Sequence, residues 1–578
     1  MNARLTILAV ALGLCGLMLL AHLAVLLGAT GRGSRYLYIE VDQAGFLVLA
    51  LLVVLATAVA CLSPRTLSAV ARLVRLDRFR PWAVAGAVLV LTLIGTPLVH
   101  HGFAFTMDEF MTRFQGEVFV EGRLTGRFPP EWRPFGHALM PVYVYLDQAT
   151  GTVASSYRPG MALIYALFDL AALGPYSGAF LAAGSVLMTA AIARRIWPGD
   201  AEAAAVAALL VGTSQQVLAL ALTSYAMPAH LFFNLLWLWL FLGNTRAGHL
   251  LAPFVGVFTA ALHQVHIHAL FALPFLLMLL RPFRPGLVVW YGAVYAAGHL
   301  LILNWGAFMP DAGAVRSGGP PADLGSAGPF LEFVLRVVRL PGLDALGSVF
   351  VNLVRFVAWQ SPALVPLLLL LLARRAPRPP ILALLAASAA LSFAPYPFMV
   401  PDPQHGWGYR YLHGVIGNVA LLATAGWIAL RAAPSPGRHR YRGFVLLLLL
   451  VAPAVMIPLR AVRIEAVVGA YADATAFVER QESTVVVIDP YRIFYGRDLR
   501  RNDPFLRNRP VVLTLDAIPK ALLEDLCADH SVSLVTAEDV APFGVPTFTA
   551  ERATAAGGLP PDYRDWLATL RAPDCAAD

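Results

Sequence analysis

Two acids and two arginines, set in polar stretches between apolar segments, are the side chains of this sequence best suited to do chemistry. Asp108 and Glu109 open the longest polar interval of the amino-terminal half, just after an apolar run that ends near Val99. Charged side chains at a bilayer boundary are costly unless they are solvated, paired or functional, so this acidic pair is the first candidate. Three clusters join it: Tyr157-Arg158, Tyr225 with His230, and Trp407-Gly408-Tyr409-Arg410-Tyr411 flanked by His405 and His413. The planar, permanently charged fork of arginine suits phosphate oxygens. A carboxylate within hydrogen-bond reach can accept the proton of an attacking hydroxyl. Together these groups describe a site that holds a phosphate and activates a hydroxyl.

Each residue also has a structural role open to it. Thr106-x-x-Glu109 ahead of Phe110 and Met111 is a capping-box pattern, and it is compatible with a functional Asp108 because consecutive helical side chains point in different directions. Phe110, Phe114 and Val118 recur at four-residue spacing with Arg113, Gln115, Glu117 and Glu121 interleaved. That pattern predicts an amphipathic helix lying on the membrane surface. Arg158 and Arg410, taken singly, also suit anchoring at lipid headgroups. His263, His266 and His268 with His230 are metal-capable, but turn histidines at an interface more often only hydrogen-bond. No metal or cofactor is expected.

The elements that must position these residues are membrane spans. Of 578 residues, 58% are hydrophobic and 13% charged, with a mean hydropathy of +0.67, which excludes a soluble core as the organising principle. The formal charge of +8 resides mainly in short loops, where arginines set orientation, and nucleic-acid binding is not expected. Apolar runs at 5–28, 44–62 and 82–99 each approach the roughly 20 residues needed to cross a bilayer. The first is read as a retained span, since it exceeds a signal-peptide core and no cleavage pattern follows.

Arg65, Arg72, Arg75, Arg78 and Arg80 lie between the second and third runs. The positive-inside bias places them and the amino terminus in the cytoplasm, and the Asp108 loop outside. The run at 161–173 is too short to cross and is read as re-entrant or interfacial. Runs at 176–192, 201–222, 231–242, 250–262, 268–280, 287–305, 362–372, 381–393, 413–430 and 444–459 then alternate with arginine-bearing loops. The segment 330–360, with Arg336, Arg339 and Arg355, is expected to be interfacial. About thirteen crossings result, leaving the carboxyl terminus external.

From about residue 461 the pattern changes. The stretches 484–488, 511–515 and 531–536 read as buried strands and 517–530 as a helix, which predicts a small α/β domain with an accessory role. Cys527 and Cys575 are the two cysteines of this portion, and in an exported domain they are expected to be joined. The domain reading is therefore 1–460, a transmembrane module carrying the outer loop 100–160, and 461–578, an extracytoplasmic α/β domain.

An early span, Asp108-Glu109 opening the first large outer loop, Tyr157-Arg158-Pro159 before an apolar helix, and a late Gly408-Tyr409-Arg410-Tyr411 resemble the polytopic GT-C glycosyltransferases. The likeness is to the branch of protein mannosyltransferases and bacterial aminoarabinose lipid A transferases, over roughly residues 80–430. The resemblance implies an α-helical polytopic enzyme of the plasma (bacterial inner) membrane. It would move a sugar, with inversion, from a polyprenyl-phosphate donor to a hydroxyl of a glycan, lipid or protein acceptor of the cell envelope. It implies Asp108 as the catalytic carboxylate with Glu109 beside it, and Arg158 and Arg410 as phosphate contacts. Tyr157, Tyr225, His230, His405, Tyr409 and Tyr411 complete the expected substrate site. Where relatives often carry an acid after the fifth span, this sequence has Tyr225-Ala-Met-Pro-Ala-His230. The competing class is a transporter or lipid flippase, which tends to carry internal repeats and midplane polar groups. Here the polar clusters are read at one surface, and repeats are absent.

Overall fold

The computed structural model describes residues 3–28, 32–140, 142–303, 305, 315–316, 340–373, 379–398, 406–432, 437–549, 551, 559–572 and 575. The chain divides into two compact units. The first comprises Met1–Thr96, Tyr176–Ile302 and Asp323–Arg463, and the second Pro97–Pro175, Leu303–Ala322 and Ile464–Asp578. The compositional boundary near 460 thus lies beside a division at 463/464, while the loop 100–160 belongs with the carboxyl-terminal residues.

The first unit is helical because its segments are long, apolar and nearly free of charge, so that in lipid each must satisfy its backbone internally. Among the described residues, seven helices are individually long and apolar enough to cross a bilayer: Ala3–Leu26, Arg35–Leu62, Pro81–Leu98, Gly174–Ile196, Pro285–Ile302, Arg410–Arg431 and Gly437–Glu479. An eighth span is broken, with Ala201–Gly212 and Gln215–Ala221 meeting at 57°. The five other expected crossings fall on shorter helices, Met227–Leu242, Arg246–Ala260, Val265–Leu276, Leu364–Ala373 and Ile381–Phe393. The count of thirteen therefore exceeds what helix length alone supports. The last span also outruns its sequence estimate of 444–459, since the helix continues to Glu479.

The break at Thr213-Ser214 was invisible to hydropathy, which averages over a window. Ser214 starts a new helix by accepting the Val217 N–H (3.3 Å) and donates its hydroxyl to Gln360 Oε1 (2.8 Å). Gln216 N–H donates to the Trp359 carbonyl at 3.1 Å. Irregular backbone inside a bundle persists when neighbouring protein satisfies it in this way.

The expectation that Arg355 marks an interfacial segment is corrected. Arg355 lies in the helix Leu343–Ala358 and is 2% exposed. Its Nε donates to Asp42 Oδ2 at 2.7 Å, while Trp359 Nε1 (2.5 Å) and Arg460 Nη1 (3.2 Å) reach Asp42 Oδ1. A buried arginine is tolerated where a buried carboxylate compensates it, and the partner here is 313 positions away. Arg336 and Arg339 lie outside the described residues.

The second unit holds two sheets. Strands β1 (Gly126–Arg127), β2 (Val144–Asp147), β3 (Thr152–Ser155) and β4 (Val315–Arg316) form an antiparallel sheet in the order β1-β3-β2-β4. Strands β5 (Val485–Ile488), β6 (Val511–Thr514) and β7 (Val532–Val535) form a parallel sheet in the order β6-β5-β7. Every residue of β5 and β6 is buried, as the continuous apolar runs of a covered parallel sheet require. The intervening helix is shorter than 517–530: Pro519 and two 3₁₀ turns precede it, and it spans Leu523–Asp529. Cys527 in that helix is disulfide-bonded to Cys575, with Cα atoms 4.5 Å apart.

One apolar core serves both parts of this unit, with Met111, Phe114, Phe128, Trp132 and Val153 packed with Val485, Val487, Leu513 and Val532. The reading of 107–120 as a membrane-surface helix is therefore corrected. The helix Met107–Val120 forms, but Met111, Phe114 and Val118 are buried to 0% exposure, Met111 and Phe114 within this core. Periodicity reveals an apolar stripe but not whether lipid or protein covers it.

Candidate active site

In the second unit the site is built on the first turn of the helix Met107–Val120. Thr106 is its N-cap, with extended backbone (φ −119°, ψ 163°), but its side chain makes no capping bond. Glu109, fully buried, folds back so that its Oε2 accepts the Phe105 N–H at 3.0 Å. The glutamate of the capping-box pattern thus reaches back to the residue before the N-cap. The open donor at Met107 is taken by Asp498, whose Oδ2 accepts that N–H at 3.3 Å.

Asp108 is half-buried, and its Oδ1 accepts a short hydrogen bond from the Tyr157 hydroxyl. Tyr157 is stacked on Tyr143, with centroids 5.2 Å apart. The approach is set by Gln115 on the same helix, which accepts the Ser155 N–H (2.9 Å) at the end of β3 and donates to the Leu124 carbonyl (3.0 Å). Gly116 lets the following helix, Gly160–Asp169, come close, since a Cβ there would lie 2.7 Å from the Tyr165 ring. Arg158 follows Tyr157 directly, and burial holds its guanidinium below the usual arginine range.

Sequence reasoning missed the acid that completes this turn. Asp498 lies in the charged run Arg497-Asp498-Leu499-Arg500-Arg501 beyond β5. Burial pushes its carboxyl up to about 6, with the charge of Asp108 adding to the rise and Arg501 and the Met107 N–H opposing it. Arg501 lies over Phe103 (4.1 Å to the ring centroid) and Phe110 (5.3 Å) and donates to the Phe105 carbonyl at 3.5 Å. The signal was a dense run of charge in an otherwise apolar α/β pattern, but nothing local to it names its partner.

In the first unit, Tyr225, Arg410 and Tyr411 are brought together. The Arg410 guanidinium lies 5.0 Å from the Tyr225 ring and 5.4 Å from that of Tyr411, and Arg410 is only 5% exposed. Gln216 clamps the segment by accepting the Tyr409 N–H (3.2 Å) and donating to the Tyr409 carbonyl (3.0 Å). Gly408 is required at this clamp. Its φ is +65°, and a Cβ would fall 2.5 Å from Gln216 Oε1.

His230 is buried beside Gly414, and neither ring nitrogen has a hydrogen-bond partner among the described residues. His268 is satisfied, bonding Asn234 Oδ1 and Tyr295 Oη at 2.8 Å each. No group of three or more His, Cys, Asp or Glu side chains among the described residues is arranged to hold a metal ion. His405 lies outside the described residues. Asp108, Glu109, Tyr157 and Arg158 thus belong to the second unit, and Tyr225, His230, Tyr409, Arg410 and Tyr411 to the first.

No protein-family model matches the chain, and no curated protein does. Solved structures do. The chain is similar to the crystal structure of ArnT from Cupriavidus metallidurans bound to undecaprenyl phosphate, at 14% identity and a TM-score of 0.50, over 76% of this chain and 90% of that one. The same protein in the apo state matches at 12% identity and a TM-score of 0.48, over 77% and 92%. The likeness is one of fold, and with its long apolar helices the chain is an integral membrane protein.

Proposed function

We propose, from the GT-C fold and the Asp108 site, that this protein is an inverting glycosyltransferase acting at the outer face of the plasma membrane. It moves a sugar from a polyprenyl-phosphate donor to a hydroxyl of a cell-envelope glycan, lipid or protein. The observation that carries this reading is the Asp108 carboxylate at the mouth of a helix, held by the Tyr157 hydroxyl with Arg158 next in the chain. That ArnT was crystallised with undecaprenyl phosphate supports the donor class.

The chemistry is a single displacement. The acceptor hydroxyl gives its proton to Asp108 as its oxygen bonds to the anomeric carbon. The bond from that carbon to the phosphate oxygen breaks, and polyprenyl phosphate leaves with the electron pair. Arginine guanidiniums already in place stabilise the charge that grows on the leaving phosphate without reorganising. Arg158 is assigned that task. The Tyr157 hydroxyl orients the carboxylate.

The test is incubation of the purified protein with a panel of polyprenyl-phosphate sugars and envelope acceptors, with released polyprenyl phosphate and glycosylated product as the readouts. Release of both in equal amounts is expected. Donor crossing the bilayer uncleaved, with no product, overturns the reading in favour of a flippase.

A further inference from the structure

The carboxyl-terminal portion, read from sequence as accessory, reaches the helix that bears the proposed base. Three carboxylates gather at that helix start: Asp108 and Glu109 in its first turn and Asp498 from 391 positions away. Each makes a different bond. Glu109 accepts the Phe105 N–H, Asp108 accepts the Tyr157 hydroxyl, and Asp498 accepts the Met107 N–H. A helix start exposes N–H groups without intrahelical partners and attracts negative charge. Met107 is the first residue of the helix, and Asp498, supplied from a distant part of the chain, satisfies its N–H.

We infer that Asp498 is a positioning residue for Asp108, fixing the first helical turn through the Met107 N–H. This rests on the reading of Asp108 as the base. The charged groups that face Asp498 are Asp108, Arg500 and Arg501. Arg501 is tied to the same turn through the Phe105 carbonyl and the rings of Phe103 and Phe110. Arg500 is committed elsewhere, to the Ala138 carbonyl (2.9 Å) and Thr514 Oγ1 (2.8 Å). The balance of charge at the turn is set by Asp108, Glu109, Asp498 and Arg501, with Arg113 and Glu479 also acting on Arg501.

The experiment compares Asp498→Asn and Asp498→Ala with wild-type full-length protein, measuring sugar transfer across pH, donor-lipid binding and thermal stability. The asparagine keeps a cap acceptor and loses the charge. The part of its acid limb set by ionisation of Asp498 near pH 6 is expected to disappear, with kcat at the plateau reduced a few-fold as the neutral acceptor loosens the turn at Met107. The alanine removes both contributions and should lower kcat about tenfold or more, with donor binding unchanged. Wild-type kcat and an unmoved acid limb in folded Asp498→Asn overturn the inference while Asp108 remains the base. Full transfer by folded Asp108→Asn overturns the underlying reading and the inference with it. An alanine variant that does not fold leaves the asparagine profile to decide.

Discussion

Asp108 and Arg158 are assigned opposite tasks, which makes substitutions at them separable. Asp108→Asn keeps the size and most of the hydrogen bonding but cannot accept a proton. Turnover should fall by roughly 100-fold or more, a typical general-base contribution, while donor affinity changes little. Arg158→Ala should weaken donor binding and slow turnover together. Glu109→Gln retains an acceptor for the Phe105 N–H, so its effect should be at most a few-fold. Donor binding and transfer measured on the three folded variants check this pattern, and wild-type transfer in Asp108→Asn contradicts it. A third acid of the helix Met107–Val120 makes a pH prediction. Burial pushes the Glu117 carboxyl up to about 7, with Asp503 and Asp169 adding to the rise and Arg507 and Arg113 opposing it. An acid whose affinity for protons is higher in the folded state destabilises that state above its folded pKa, and the penalty is relieved as pH falls through 7 towards the unfolded value. Thermal unfolding should therefore occur at higher temperature at pH 5.5 than at 7.5 through this group. Glu117→Gln should raise the pH 7.5 value and flatten the dependence, and an unchanged slope in that variant rejects the assignment.

At the scale of elements, the fold depends on segments that do not run straight. The broken span at Ser214 turns Gln216 towards the backbone of Tyr409, and this clamp, not the aromatic composition of the motif, sets where Arg410 lies. A second irregular element, the π-helical turn Tyr38–Asp42, presents Asp42 to arginines of two other helices. Removing one partner of a buried ion pair leaves the other uncompensated and costs about 3–5 kcal/mol. Asp42→Ala should therefore destabilise the first unit by about that amount, read as a large drop in unfolding temperature in detergent or nanodiscs. A loss comparable to that of a surface substitution would show the cluster to be solvated. Asp42→Glu keeps the charge and should recover part of the stability.

At the scale of the whole molecule, the arginine-rich loops assign the Asp108 loop and the carboxyl terminus to the external side. Reporter fusions at the tail should score external, and protein from its native compartment should yield a Cys527–Cys575 linked peptide without reduction. A cytoplasmic tail would contradict the parity of the spans, and two free thiols would contradict export of this domain. Much of this architecture was legible in the sequence. Apolar runs located the helices long enough to span but not the number of crossings, and 484–488, 511–515 and 531–536 located the three parallel strands within a residue at each end. These are local properties, since lipid solvation and strand burial act on consecutive side chains. The charged partners were not legible. Asp108 with Tyr157, Asp42 with Arg355 and Met107 with Asp498 join positions 49, 313 and 391 apart. A sequence displays each charge but not the group that compensates it. Only the packed chain decides that, because the cost of a buried charge is settled by whichever partner the fold brings within hydrogen-bond distance.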